Sequence, residues 1–391
     1  MIPLDAALQI VLGSARPLDH ERVALGESLG RVLAERVASD MDMPPFEKSL
    51  VDGYACRRTD LAGELRVVET IQAGLPPAKP IGPGRCAKIM TGAAVPEGAD
   101  CVVMIEQTEK VGARLIRLTN QRTRDNIARR ALEVKTGEVV LHAGTLIGPQ
   151  HIAVLASVGC TRPLVAKKPT VGLIAGGDEL VDPSAKPGPS QIRNSNSYQL
   201  AAQLEAVGAA VCDYGVVKDV ATEIDLVLKT AMSENDVVLV SGGVSVGDYD
   251  FVPLILRQNG VELLFEKIAV KPGKPTVFGV SKKAFCFGLP GNPVSTFVTF
   301  ELLVKPFLYA LMGHRYSPKD VQMRLDESVT REDTERQGWI PVAVADDASV
   351  HPVKYHGSAH ILALCRAHGL IAMDIGVASI EQGSHVSVRL L

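Results

Sequence analysis

A short apolar run, Asp236-Val-Val-Leu-Val, opens directly into Ser241-Gly-Gly-Val-Ser245-Val-Gly-Asp248-Tyr-Asp250, and this junction constrains the chain more than any other stretch. The Val-rich run reads as a buried strand. The glycines let the backbone turn tightly and bring its N–H groups close to a ligand. A helix is expected just after Asp250, with Asp250 as its cap, Pro253 in its first turn and Gly260 as its stop. A turn of this kind favours anions, because unpaired N–H groups and the helix dipole both attract negative charge. Asp248 and Asp250 would repel a bare phosphate, so they point to a divalent cation beside it. Alone, the glycines fit a plain strand–turn–helix corner with capping acids better than a site. A second loop, Phe285-Cys-Phe-Gly288-Leu-Pro290-Gly291-Asn292-Pro293, changes that balance. It repeats the logic, with Asn292 as cap, Pro293 as first helical residue and a long apolar helix to about Met312. Two such loops at strand C-terminal ends share one edge of a parallel sheet, where open α/β sheets bind ligands.

At 391 residues the chain is long enough for several domains. The alternation of strands and helices begins at Thr170, which sets an α/β unit at 169–317. Before it, 44–127 is broken by Gly and Pro and reads as a small inserted β domain; 1–43 together with 128–168 reads as a helical and linker part, with helices at 4–12, 27–37 and 149–158. Residues 318–391 are again β and are read as a small C-terminal barrel or sandwich. The fold class is therefore multi-domain α/β plus β, with a mostly parallel central sheet.

Several functional classes are disfavoured. A net charge of −3 and an aromatic share of 4% give neither the pull nor the stacking surface that nucleic acid requires. No apolar run is read as membrane-spanning, and no export signal is visible, so cytoplasm is the default. Seven widely spaced cysteines without a Cys-x-x-Cys read as reduced core thiols. Gly-x-Gly-x-x-Gly, the Walker-type phosphate loop, His-Glu-x-x-His and Gly-x-Ser-x-Gly are all missing. His356 and His360 could share a helix face, but a two-histidine metal pair is the weaker reading. What remains is a sheet edge carrying Asp178, Glu179, Asp219, Asp248 and Asp250, with Lys267, Lys271 and Lys274 alongside. In a strand, positions 267 and 271 share a face, which suits a doubly charged anion.

These residues make up a recognisable set. The loop Met43-Pro-Pro-Phe leading to Asp52-Gly-Tyr-Ala, then Ile89-Met-Thr91-Gly92-Ala, Gly177-Asp-Glu179-Leu, Asn194-Ser-Asn196, the Ser241 glycine turn, Lys271-Pro-Gly-Lys274-Pro and Gly288-Leu-Pro290-Gly291-Asn292-Pro293 fall in one order along the whole chain. In this the chain resembles the molybdopterin molybdenumtransferase family, which inserts molybdenum in the last step of molybdenum cofactor synthesis. The scaffold protein gephyrin carries a related domain. The resemblance implies an elongated homodimer with a site shared between the α/β domain of one subunit and the small β domain of the other. It implies adenylyl-molybdopterin and molybdate as substrates, magnesium (Mg2+), and release of AMP. Contacts with the adenylyltransferase that supplies the substrate, or with molybdoenzymes that receive the product, belong to the same picture. By motif, the residues carried over are Asp52, Glu179, Asp219, Asp250, Lys267 and Lys271 for the chemistry, with Glu179, Asp219 and Asp250 as metal ligands. Thr91, Gly242, Gly243, Ser245, Lys274, Pro290, Gly291, Asn292 and Pro293 would contact substrate.

Three departures from the family pattern stand out. Ala175-Gly-Gly-Asp178 replaces Ser-Thr-Gly-Asp. Glu47-Lys48 replaces Asp-Asn, and Leu50-Val51 replaces Ala-Met before Asp52. The segment Arg130-Ala131-Leu132-Glu133-Val134 stands where Gly-Glu-Asp-Ile is usual, Gly-Glu having become Ala131-Leu132, so Glu133 would take the place of a functional Asp. Two other readings compete: a molybdopterin adenylyltransferase, whose glycine turn is typically Thr-Gly-Gly-Thr-Gly, and a non-catalytic molybdopterin-binding scaffold.

Overall fold

Val171, Val237 and Phe285 lie side by side on three neighbouring parallel strands, and the rest of the fold is laid around them. The computed structural model describes residues 1–119, 122–244 and 251–391. The central sheet has six strands in the order Ala210–Val217, Thr170–Gly176, Val237–Ser241, Phe285–Leu289, Val277–Val280 and Glu262–Phe265. The first four are parallel; Val277–Val280 runs antiparallel to them, and Glu262–Phe265, antiparallel to Val277–Val280, runs with them again. Val237–Ser241 and Phe285–Leu289 are buried at every position, because helices cover both faces of the sheet. Helices Asn196–Ala206 and Pro293–Leu311 lie on one face; Ala221–Glu234 and Val252–Gln258 lie on the other. From Thr170–Gly176 the chain first adds a strand on one side, then returns to add Val237–Ser241 on the other. That reversal opens a crevice between the ends of these two strands.

The helix Pro293–Leu311 is apolar and long enough to cross a membrane, contrary to the expectation from sequence, but it is a core helix. Val298, Phe300, Leu303, Phe307 and Leu308 on it are fully buried. Phe307 packs edge-on against Phe285 with ring centroids 4.8 Å apart. One widened turn at Phe300–Val304 precedes Pro306, whose missing N–H interrupts the regular ladder.

Two expectations are corrected. Residues 27–37 form no helix: only a single tight turn, Leu25–Glu27, is helical, Gly30 is at φ 74°, and Val32 and Leu33 bridge to Leu146 and Val165. Pairing with distant segments overrides the local spacing there. Leu164–Ala166 is a strand paired with His20–Arg22, so the stretch before Pro169 is more than a linker. The helix expected at 4–12 forms as Leu4–Ser14, with Ala7 and Val11 buried in the α/β core and Ile2 bridging Ile268.

Before the α/β unit, six strands form a mixed sheet in the order Cys101–Met104, Gly53–Cys56, Arg85–Ile89, Glu64–Ile71, Leu115–Leu118 and Thr108–Gly112. Cys56, Cys86 and Cys101 are buried in it, and Cys286 in the central sheet, whereas Cys212 and Cys365 are exposed and do not fit the core-thiol reading. At the C-terminal end, Gln337–Val344, Gly369–Met373, His385–Leu390 and Asp320–Arg324 pair in that order. Leu325 bridges Val350, and Val350–Pro352 pairs back onto Gln337–Val344. Val270–Lys271, from the α/β stretch, adds in parallel to Gln337–Gly338. This pairing ties the C-terminal sheet to the α/β unit and sets Lys271 between them.

Candidate functional site

The C-terminal strand ends of the central sheet face the C-terminal sheet across a cleft of about 1290 Å³. That exceeds a typical small-molecule site of roughly 300–1,000 Å³, so a large ligand fits. On the α/β side the cleft is lined by Gly176, Gly177 and Glu179, by Asp219, by Ser241 to Val244, and by Pro290 to Pro293. Lys271 and Lys274 line it from the connecting loop.

The glycine turn is shaped by direct backbone contact. Gly242 has φ 93°, and a Cβ there would lie 2.5 Å from the Gly176 carbonyl oxygen. Only glycine lets the two strand ends approach this closely. The Gly242 N–H donates to the Leu289 carbonyl at 3.0 Å, which brings the Pro290–Asn292 loop against the same turn. Gly177, at φ 146°, makes room for a carboxylate: a Cβ there would meet Glu179 Oε2 at 2.6 Å. Next to it, Asp219 Oδ1 is 3.9 Å from where a Gly176 Cβ would stand. Glu179 and Asp219 thus flank one Gly-Gly turn. The Asp219 N–H donates to Asp178 Oδ1 at 3.2 Å, so Asp178 braces this loop and does not itself line the cleft.

The opposite wall carries groups that sequence spacing did not reveal. Lys271 Nζ is 3.5 Å from Asp333 Oδ2, and Arg336 also pairs with Asp333. The Arg336 guanidinium, the Glu335 N–H and the nearby Lys271 hold the Asp333 carboxyl down to about 2. Two cations around one carboxylate leave this rim net positive. Arg331 also lines the cleft, but its guanidinium donates to the carbonyls of Val377, Arg336 and Asp374 and acts as a strut. Ser358 reaches across to the α/β side: it accepts from Asn292 Nδ2 at 2.8 Å, and its carbonyl accepts the Val294 N–H at 3.0 Å.

The structure gathers Glu179, Asp219, Gly242, Gly243, Lys271, Lys274, Pro290, Gly291, Asn292 and Pro293 in this cleft. Ser245, Asp248 and Asp250 lie outside the described residues. Lys267 does not join them: the strand stops at Phe265, so the shared face of 267 and 271 is lost, and the Lys267 carbonyl accepts the Ile2 N–H. Asp52 and Thr91 meet each other in the small β sheet, away from the cleft of the same chain. The Thr91 N–H and hydroxyl both donate to Asp52 Oδ1 at 2.7 Å and hold this carboxyl below its ordinary range. Glu133 lies in the same part of the molecule, exposed, with Oε1 3.8 Å from Lys48 Nζ. Two of the departures from the family pattern therefore face one another, Lys48 meeting Glu133, while Glu47 pairs with Arg129 at 2.9 Å. Ala131 keeps a left-handed φ of 59°, a conformation natural to the glycine it replaces.

The donor set suits a hard cation. Among the described residues no three His, Cys, Asp or Glu side chains converge, but Glu179 and Asp219 share one rim. One or two carboxylates completed by substrate phosphate and water is the usual protein share of a magnesium site. His356 and His360 stack with ring centroids 5.1 Å apart beside the cleft and form no such cluster.

Comparison with known proteins decides the family. Over residues 2–159 the chain matches the MoeA N-terminal region (domain I and II), over 172–310 the probable molybdopterin binding domain, and over 323–391 the MoeA C-terminal region (domain IV). It is 35% identical to the molybdopterin molybdenumtransferase of Staphylococcus epidermidis, over 100% of this chain and 95% of that one. The chain belongs to the molybdopterin molybdenumtransferase family. It is also 35% identical to the Bacillus subtilis molybdopterin molybdenumtransferase, over 100% of this chain and 94% of that one. The crystal structure of the molybdopterin biosynthesis moeA protein from Pyrococcus horikoshii OT3 superposes with a TM-score of 0.86 at 30% identity, covering 100% of both chains. The multi-domain arrangement of mixed sheets described above is consistent with the fold of that moeA protein.

Proposed function

We propose that this chain is a molybdopterin molybdenumtransferase, taking adenylyl-molybdopterin and molybdate and releasing AMP. The observation that carries the reading is the single cleft in which a glycine turn, two carboxylates and two lysines converge at the switch point of the sheet. Backbone N–H groups beside Gly242 and Gly291 suit phosphate oxygens, and Lys271 and Lys274 suit a phosphate or molybdate oxyanion. Glu179 and Asp219 would hold magnesium, with Asp250 beyond the described residues. Bound there, the cation supplies neutralisation of the pyrophosphate and polarisation of the bond that breaks. The remaining work of the protein is positioning, because the substrate brings its own sulfur ligands. We place Asp52 and Thr91 in the site of a second copy, since neither lines the cleft of its own chain.

The deciding experiment supplies purified protein with adenylyl-molybdopterin and molybdate, or tungstate, and follows AMP and cofactor formation. AMP release that needs the oxyanion supports the transferase. Adenylate formation from molybdopterin and ATP without molybdate would replace it with an adenylyltransferase. For the shared site, mixing Asp52→Ala and Glu179→Ala chains should recover part of the activity lost by each. No recovery in a mixture shown to contain heterodimers would overturn the sharing.

A further inference from the structure

The Asn194-Ser-Asn196 motif has two parts with different work. Asn194 caps the helix Asn196–Ala206: its Oδ1 accepts the Ser197 N–H at 3.1 Å, and its Nδ2 donates to Ser197 Oγ at 2.8 Å. Asn196 points elsewhere. Its Nδ2 donates to Ser241 Oγ at 2.8 Å, to the Gly291 carbonyl at 2.7 Å and to Thr296 Oγ1 at 3.5 Å. One amide therefore stitches the glycine turn to the Pro290–Asn292 loop.

The carbonyl oxygens of that loop are withdrawn one after another. Leu289 O accepts the Gly242 N–H, and Pro290 O accepts the Thr296 hydroxyl. Gly291 O accepts Asn196, Asn292 O accepts the Thr296 N–H, and Pro293 O accepts Gln199 Nε2 at 3.4 Å. Pro290 and Pro293 have no N–H to give. The N–H groups of Gly291 and Asn292 make no hydrogen bond among the described residues. The loop thus keeps its acceptors occupied and its two donors unspent. The Gly291–Asn292 peptide is trans, so its carbonyl and its N–H point in opposite directions. Fixing the carbonyl fixes the donor.

We infer that Asn196 is a positioning residue which, by holding the Gly291 carbonyl inward, keeps the Asn292 N–H presented to a phosphate oxygen of the substrate. This deepens the transferase reading and rests on it for the identity of the substrate. Without Asn196 the peptide plane is released, and a carbonyl oxygen turned toward the cleft would repel the same phosphate.

The test uses the full-length protein labelled with ¹⁵N-asparagine and inorganic pyrophosphate as the probe. In wild type the Asn292 amide should move downfield as pyrophosphate saturates. In Asn196→Ala, and in the isosteric Asn196→Asp whose carboxylate repels the Gly291 oxygen, binding should weaken about tenfold and the Asn292 shift should be lost. A role in packing alone would be preserved by Asp, so wild-type binding in Asn196→Asp overturns the inference. So does a wild-type Asn292 amide that stays still at saturation, or a wild type that binds no pyrophosphate. If a variant fails to fold, the wild-type titration still decides. A wild type that shows the Asn292 shift but turns over no adenylyl-molybdopterin removes the transferase reading and leaves the role of Asn196 standing.

Discussion

Replacing Gly242 by Ala should damage the cleft through two separable costs. The first is conformational. Gly242 sits at φ 93°, and an L-residue held on the left-handed side costs roughly 1–2 kcal/mol. The second is steric. The new Cβ would stand 2.5 Å from the Gly176 carbonyl oxygen, against an ordinary contact of about 3.5 Å, so the two strand ends must part by roughly 1 Å. Backbone on both sides cannot yield as a side chain does, and overpacking of this kind costs about 1–3 kcal/mol. Stiffening of the unfolded chain by Ala returns about 0.4–1 kcal/mol. The net expectation is a loss of roughly 1–4.6 kcal/mol. At about 2–4 °C per kcal/mol for a unit of this size, the melting temperature of the α/β unit should fall by roughly 2–18 °C. Turnover should fall with it, because the Gly176 and Gly242 turns carry the cleft. Gly92→Ala is the control: Gly92 is at φ 82° but a Cβ there meets nothing within 4 Å, so only the conformational cost remains. Differential scanning calorimetry of both variants, with activity on the same samples, is the assay. A Gly242→Ala protein that melts within 1 °C of Gly92→Ala and turns over normally would refute the close-approach argument.

Other outcomes follow from the same geometry. Lys271→Ala should weaken molybdate or molybdopterin binding by about 1.5–3 kcal/mol, the usual worth of a hydrogen bond to a charged group, while Lys267→Ala, outside the cleft, should leave calorimetric binding unchanged. Glu133→Gln should lower the rate of molybdenum insertion substantially and leave molybdopterin binding largely intact; a wild-type rate would make Glu133 a bystander. Its stability cost should stay within about 0.5 kcal/mol in denaturant, because the Lys48–Glu133 pair at 3.8 Å is exposed. Ala131→Gly should stabilise the chain by about 0.5–1 kcal/mol, the relief at φ 59° less the added freedom of the unfolded chain; destabilisation would show that the alanine is unstrained.

Much of the site was legible in the sequence because it is built from local punctuation. A Val-rich strand running into Ser241-Gly-Gly, and another into Gly288-Leu-Pro-Gly-Asn-Pro, must end in tight turns on one sheet edge whatever else the chain does. Gly242, Gly291, Glu179 and Asp219 meet there for that reason. The same local logic placed the helices Leu4–Ser14 and Pro149–Ser157 and the β strands of the C-terminal part. It misplaced residues 27–37, where apolar spacing suited a helix but Val32 and Leu33 bridge to residues more than a hundred positions away.

Composition, turn chemistry and motif order were decided by the sequence alone, and with them the α/β core and one wall of the cleft. Only the tertiary structure decided the other wall and the work of Asn196. Asp333 and Arg336 lie some sixty residues beyond Lys271, and they reach it because Val270–Lys271 is taken as an edge strand by the C-terminal sheet. Asn196 carries no signal of its own type, since its function lies in which carbonyl it holds. Lys267 and Lys271 look equivalent in the chain and are separated by a strand that ends at Phe265. Periodicity reports what neighbours along the chain share; the direction of a hydrogen bond between distant loops is set only when packing brings them together.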